Sequence, residues 1–287
     1  MLIAECSIRV MQIGNREFDF SHQVYLMGIL NVTPDSFSDG GRFLDPAVAV
    51  EQALKMQEEG AALIDIGGES SRPGAKPVSI EKERSRVIPV LKRVVTRLRI
   101  PVSVDTRKSA IASEAIAEGA AMINDISSLR YDFRMAEVVA QAGVPVILMH
   151  MRGEPETMQQ GVAYLNVVSE VIHFLKSRIE IAVKIGIDRS RILADPGIGF
   201  GKEQEHNLSL LRHLPDFRAL ECPIVIGASR KSFIRRLLQL NDPLHPFVQT
   251  GSLAVAAIAA WNGASLIRAH DVRETSQVIR MVSALKS

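Results

Sequence analysis

AMINDISSLRYDFRMAEVVAQAGVPVILMH, residues 121–150, reads as a strand, a helix and a second strand. The apolar runs Ala121–Ile123 and Val144–Met149 do not alternate with polar residues, as expected of parallel strands covered on both faces. Gly143, just before the second run, is placed to close the intervening helix with a left-handed residue. Each run ends on a polar side chain, Asn124 after the first and His150 after the second.

The unit repeats in both directions. Tyr25–Leu30, Ala62–Ile66, Val102–Val104, Arg191–Ala194, Ile224–Ile226 and Ser265–Ile267 are runs of the same kind, which makes eight in all. Stretches with helical spacing lie between them, such as Val167, Val171, Leu175, Ile179 and Val183 on one stripe. Asp45-Pro46 reads as an N-cap and first helical residue, and Ser79 followed by Glu81 and Glu83 as a capped acidic first turn. Gly60, Gly119, Gly186 and Gly263 repeat the closing role of Gly143.

Eight alternations admit an open doubly wound sheet or a closed barrel. The strand ends favour the barrel: Asn31, Asp65, Asp105, Asn124, His150, Asp195, Ser229 and Arg268 would all converge on one mouth. Any one of them could equally cap the following helix; eight together predict a (β/α)8 TIM barrel spanning 1–287 as one domain. Residues 1–24 precede the first core strand and are expected to form a β-hairpin or plug at the opposite end.

Composition excludes other classes. Lys and Arg total 34 against 32 for Asp and Glu, which gives no electrostatic reason to expect a nucleic-acid partner. Cys6 and Cys222 stand far apart, outside any disulfide framework or zinc spacing. Glu5 and Arg9 interrupt the apolar N-terminus, arguing against a signal peptide. The longest apolar run, Leu253–Trp261, is about half a membrane span and reads as an Ala-rich packing helix. The expectation is a soluble, cytoplasmic protein without a membrane partner.

The loops after the strands carry the chemistry. Asn31 to Gly41 joins polar side chains to a glycine pair, as a mobile lid would, and Asn31 offers a neutral oxygen suited to Mg2+. Gly67 to Pro77 is a second such loop, with Arg72 as a possible phosphate clamp or a merely solvated cation. Asp105, Asn124 and Asp195 suit a ligand rich in N–H groups, because an ionised carboxylate accepts two parallel donors. Ser103 shares the inward direction with Asp105.

Arg230 and Lys231 stand at a helix N-terminus, where the dipole disfavours cations, so a carboxylate or a ligand must compensate. A Schiff-base lysine is the competing active reading of Lys231. Arg268 and His270, two apart after the last strand, can hold an anion where barrels often place a phosphate site. His22, His173, His206, His213 and His245 show no ligand spacing.

The spellings from Gly28 to Gly41 and from Gly67 to Gly74 resemble the two signatures of the dihydropteroate synthases. The likeness continues through Asp105, Asn124, Asp195 to Gly201, Ser229 to Ser232 and Arg268 to Asp271, and covers residues 24–286. It implies an enzyme of folate biosynthesis, a Mg2+-dependent transferase that condenses 6-hydroxymethyl-7,8-dihydropterin diphosphate with p-aminobenzoate. The products are 7,8-dihydropteroate and pyrophosphate.

The resemblance also implies roles. Asp105, Asn124, Asp195 and Lys231 would hold the pterin, with Ile126, Met149 and Phe200 around its ring. Asn31 would meet the diphosphate through Mg2+, and Arg72, Arg268 and His270 directly. Phe37, Ser71, Pro73, Phe200, Ser229 and Ser232 would surround p-aminobenzoate. Such proteins are typically homodimers, and no insertion follows Pro73 or flanks Phe37, so sulfonamide inhibitors should bind. Pro243–Gln249, without Lys or Arg, departs from the pattern and leaves the local helix contacts open. A barrel that transfers a methyl group from methyltetrahydrofolate to a corrinoid protein resembles the same carboxylate pattern and is the rival, although it needs no diphosphate clamp.

Overall fold

The computed structural model describes residues 10–33 and 46–286. Cys6, Phe37 and the cap expected at Asp45 lie outside them. A two-stranded antiparallel hairpin, β1 (Val10–Ile13) and β2 (Arg16–Asp19), leads into eight parallel strands. These are β3 (Tyr25–Asn31), β4 (Leu63–Gly67), β5 (Val102–Asp105), β6 (Met122–Asp125), β7 (Val146–Met149), β8 (Ile192–Asp195), β9 (Val225–Ile226) and β10 (Leu266–Ala269). They pair in the order β8-β7-β6-β5-β4-β3-β10-β9, and a parallel bridge from Ala194 to Ile224 joins the two ends. The sheet is therefore a closed barrel, and each of the eight apolar runs has become a strand.

Helices α1 (Pro46–Glu58), α2 (Ile80–Arg97), α3 (Ser109–Ala117), α4 (Met135–Ala142), α5 (Val167–Ile185), α6 (Gln204–Arg212), α7 (Ser232–Leu237), α8 (Pro246–Trp261) and α9 (Val272–Lys286) surround it. Local signals act as expected. Ser79 accepts from the Lys82 amide at the start of α2, and Gly143 and Gly186 end α4 and α5 with φ of 63° and 111°.

The apolar stripe of α5 needs one correction. Val167, Val171, Leu175 and Ile179 are buried, but Val183 is exposed and Ala182 faces the barrel instead. Steps of four residues at about 100° each advance the stripe by about 40° per step, so the fifth member has rotated off the buried face.

Burial falls into three sets. The largest lies between the strands and the helices. A second closes one end of the barrel, where Met11, Ile13 and Phe18 of the hairpin pack on Met27, Leu63, Met122, Ile147, Leu193, Val225 and Leu266. Six of the seven are the first inward residues of their strands and Met27 is the second of β3, after Tyr25, which itself packs on Phe18, so the hairpin plugs the N-terminal end. The third set, Ile126, Met149, Met151, Met158 and Phe200, sits at the opposite mouth.

Candidate active site

Side chains alternate along a strand. Once Met27, Leu63, Met122, Ile147, Leu193 and Leu266 point inward at the plug, two-residue steps carry Asn31, Asp65, Asn124, Met149, Asp195 and Arg268 inward at the mouth. On β5 the same phase sends Ser103 and Asp105 inward. One polar floor results.

His150 does not join it. Its neighbour Met149 takes the inward position, so its ring turns out against Phe174 of α5 at a centroid distance of 4.8 Å. Nδ1 of His150 lies 2.8 Å from Nζ of Lys202. Burial and the Lys202 charge drive its pKa down to about 2, so the ring is neutral and Nδ1 accepts.

Arg268 is the hub of the floor. Its Nε donates to Asp65 Oδ2 at 2.7 Å and its Nη2 to Asp105 Oδ2 at 3.0 Å. Asp65, wholly buried, accepts a second bond at the same oxygen from Asn124 Nδ2 at 2.9 Å, while its Oδ1 has no partner among the described residues. Burial raises the pKa of Asp105, against the pull of Arg268 and with the push of Asp65. Asp195 is likewise raised by burial, and its Oδ1 accepts from the Gly197 amide at 2.7 Å.

Lys231 reaches the floor from the residue before α7. Its Nζ donates to the Ile198 carbonyl at 2.6 Å and stands 3.9 Å from the centre of the Phe200 ring. Burial holds its pKa down to about 7, opposed by Asp195. Arg230, beside it in the left-handed region at φ 57°, pairs with Asp271. The compensation expected for two cations at a helix start is thus a carboxylate for one and a carbonyl for the other.

The turn between Asp195 and Lys202 is gripped from both sides. Lys202 is fully buried and donates to the carbonyls of Gly197 at 2.9 Å and Phe200 at 3.0 Å. Gly197, Gly199 and Gly201 all have positive φ, and a Cβ on Gly197 would overlap the His150 carbonyl oxygen. Close main-chain approach demands glycine there.

β10 stops at Ala269, and His270 is fixed by Ser229: its amide donates to Ser229 Oγ at 3.2 Å, and Nδ1 lies 3.1 Å from the same oxygen. Burial, then Arg268 and Arg230, push its pKa down to about 3, with Arg72 a lesser contributor. His270 is therefore a neutral hydrogen-bonding group, and the positive charge beside it comes from arginines. Arg72 is exposed on the loop after β4, as is Pro73, with Ser71 half-buried. Ser232 is exposed at the first residue of α7.

Asn31 ends β3 close to Asp105: a point one bond out from Gly67 Cα lies 3.5 Å from Asn31 Oδ1 and 3.8 Å from Asp105 Oδ2. Among the described residues no group of three or more His, Cys, Asp or Glu is arranged to hold a metal ion.

Sequence reasoning missed Asp65 as the partner of Arg268, Lys202, and Met151 and Met158 beside Phe200. It also missed a buried ion-pair cluster of Glu69, Glu83, Arg107 and Lys108. The signal for Asp65 was available, since a carboxylate two steps inward from the plug residue Leu63 on a doubly buried strand requires a cation. Asp125, next to Asn124, faces away and holds its own loop by accepting from the amides of Ser127 and Leu129.

Comparison with known proteins agrees with this arrangement. A family model of pterin binding enzymes matches residues 27–270. The dihydropteroate synthase of Escherichia coli strain K12 is 46% identical over 269 residues, covering 94% of each chain. The Yersinia pestis dihydropteroate synthase solved with a sulfonamide drug superposes with a TM-score of 0.91 at 43% identity, covering 96% of this chain and 99% of that one. The Xanthomonas albilineans dihydropteroate synthase solved with 4-aminobenzoic acid gives 0.90 at 43% identity, with 98% and 99% covered. With both chains matched end to end and the polar floor in place at the barrel mouth, this chain belongs to the dihydropteroate synthases, within the pterin binding enzymes.

Proposed function

We propose that the mouth joins 6-hydroxymethyl-7,8-dihydropterin diphosphate to p-aminobenzoate, releasing pyrophosphate and 7,8-dihydropteroate. The observation that carries the reading is the juxtaposition of carboxylates, one depressed lysine and an apolar plate. Asp105, Asn124, Asp195 and Lys231 offer acceptors and a donor to the N–H-rich edge of a flat ring, and Ile126, Met149 and Phe200 cover its face. The burial that raises Asp105 and Asp195 is offset when ring N–H groups donate to them, so ligand and carboxylate stabilise each other.

The diphosphate would lie toward Arg72, Arg268 and His270. Arg268 stays cationic between its two carboxylates, Arg72 supplies an exposed guanidinium, and neutral His270 gives a hydrogen bond. A lone amide oxygen at Asn31 fits Mg2+, a cation that keeps waters and takes most of its other ligands from phosphate oxygens. Bound there, it would supply charge neutralisation of the leaving group.

The methylene–oxygen bond breaks with its electron pair leaving on pyrophosphate, and the dihydropterin spreads the positive charge left at the methylene carbon. The amine nitrogen of p-aminobenzoate then forms the new carbon–nitrogen bond and loses a proton. The chain's own part is to hold ring and leaving group in place with preset donors and charges. Phe37, Ser71, Pro73, Phe200, Ser229 and Ser232 would seat the second substrate, and sulfonamides would compete there.

The apolar surface of α7 to α9, with Leu237, Phe247, Ile258, Trp261, Met281 and Leu285 exposed, supports a homodimer through these helices; light scattering tests it. No helix among the described residues is long and apolar enough to cross a membrane. Cys222 is buried in the core between the strands and the helices.

The test is pyrophosphate release from the dihydropterin diphosphate with and without p-aminobenzoate and Mg2+. Release dependent on both, competed by a sulfonamide, is the expected result. Release without the amine, or none at all, would sink the reading.

A further inference from the structure

The loop from Gly67 to Val78 is the longest connection at the mouth that lies wholly within the described residues and carries proposed site residues, and its base is unusually polar. Glu69, two residues past β4, is mostly buried. Its Oε1 accepts from Arg107 Nη2 at 2.5 Å; its Oε2 accepts from Lys108 Nζ at 2.6 Å and from the Val78 amide at 3.0 Å. Val78 directly precedes the cap of α2. One carboxylate therefore ties the start of the loop to its end, leaving Ser70 to Pro77 to span a closed base.

Behind Glu69 the charges continue. Lys108 also donates to Glu83 of α2, whose other oxygen accepts from Thr106 Oγ1 at 2.6 Å. Arg107 also donates to Glu154 in the loop after β7, with its guanidinium 4.3 Å from the centre of the Tyr131 ring. The tip is joined to that same loop, because the Gly74 amide donates to the Pro155 carbonyl at 3.0 Å. Thr106, Arg107 and Lys108 follow Asp105 in the chain, so the segment that places the proposed pterin carboxylate also places the base of the loop.

Stability alone does not account for such a cluster. Buried ion pairs are commonly matched or bettered by apolar packing, because desolvation offsets their attraction. Here a buried Arg107 Nε is even left without a partner among the described residues. What a fully ionic cluster does supply is one geometry, since each charge must face its counter-charge.

We propose that Glu69 is a positioning residue for the second substrate: clamped by Arg107, Lys108 and the Val78 amide, it fixes the stalk of the loop that presents Ser71, Arg72 and Pro73. This rests on the reading that p-aminobenzoate is seated by that loop. Glu69 touches neither substrate. Its effect travels through the loop base, so it acts on the amine more than on the pterin.

Glu69→Gln keeps the shape but offers one acceptor oxygen where three donors now converge. The expected result is a Michaelis constant for p-aminobenzoate raised about tenfold, the equivalent of one lost charge-assisted hydrogen bond. Binding of 6-hydroxymethyl-7,8-dihydropterin, which lacks the diphosphate that Arg72 would meet, titrated calorimetrically without the amine, stays within about twofold. Glu154→Gln, at the exposed end of the cluster, raises the amine constant by about threefold and leaves folding intact.

A folded Glu69→Gln protein with an unchanged amine constant overturns the proposal, as does an equal loss toward the amine and the hydroxymethyl dihydropterin. Should Glu69→Gln fail to fold, by circular dichroism, Glu154→Gln decides, and an unchanged amine constant there overturns it. A wild-type protein that does not consume the amine refutes the functional reading itself, and that is seen before any variant is made.

Discussion

Replacing Asp65 by Asn tests the hub of the polar floor. Asp65 Oδ2 receives two hydrogen bonds, from Arg268 and Asn124, in a position with no exposure to solvent. Asn keeps an oxygen there but removes the charge. Hydrogen bonds to charged groups contribute roughly 1 kcal/mol more than neutral ones, so two weakened bonds cost about 2 kcal/mol. The full penalty of about 3–5 kcal/mol for an orphaned buried charge is not reached, because Asp105 still pairs with Arg268. With an unfolding entropy of about 2.1 cal/mol/K per residue, a chain of 287 residues has about 0.6 kcal/mol/K, and the thermal midpoint should fall by about 3 °C.

Function should fall further than stability. Asn124 keeps only a weaker, neutral acceptor for its amide, and one side of the Arg268 fork is held less firmly. The dissociation constant for dihydropterin diphosphate should rise about tenfold, and that for p-aminobenzoate should not. Scanning calorimetry and isothermal titration on the same preparation read both quantities. A midpoint within about half a degree of wild type, with pterin affinity unchanged, would show that Asp105 alone sets Arg268 and that the hub is misassigned.

Other predictions follow from the same floor. The Lys231 pKa is held at about 7 in the fold against 10.5 ordinarily, so the unfolded chain binds the extra proton between those values and stability should rise with pH through that window. Below pH about 7 the cost of the buried ammonium is constant, so Lys231→Met should gain more thermal midpoint over wild type at pH 6 than at pH 9; the reverse order refutes the assignment. Gly197→Ala meets both a positive φ of 69° and the His150 carbonyl, and should abolish pterin binding or folding. Gly74→Ala, at φ 81° with open space around it, should cost only about 1 kcal/mol by thermal melt. Equal effects at the two glycines would mean that the approach at Gly197 is not tight.

Much was legible in the chain because it is local. The eight runs, the closing glycines, the Ser79 cap and the inward pairing of Ser103 with Asp105 depend on a few neighbouring residues and on the two periods of strand and helix. Since inward polar residues follow plug residues at steps of two, even the membership of the floor was largely readable. Its exception, His150, falls out because Met149 holds the inward phase.

What only the tertiary structure decided is which charge meets which. Arg268 was read as a free anion clamp, yet it is tied to Asp65 and Asp105, which lie 203 and 163 residues earlier in the chain. Lys202, Glu69, Arg107 and Lys108 carry no local signal of their partners, and Glu83 reads from the sequence only as part of an acidic first helical turn. Their burial follows from barrel closure, which sets β10 beside β3 and stacks the loops after β4, β5 and β7 on one rim. A sequence specifies side chains and their local phase; the pairing of buried charges requires the distances that only the closed sheet creates.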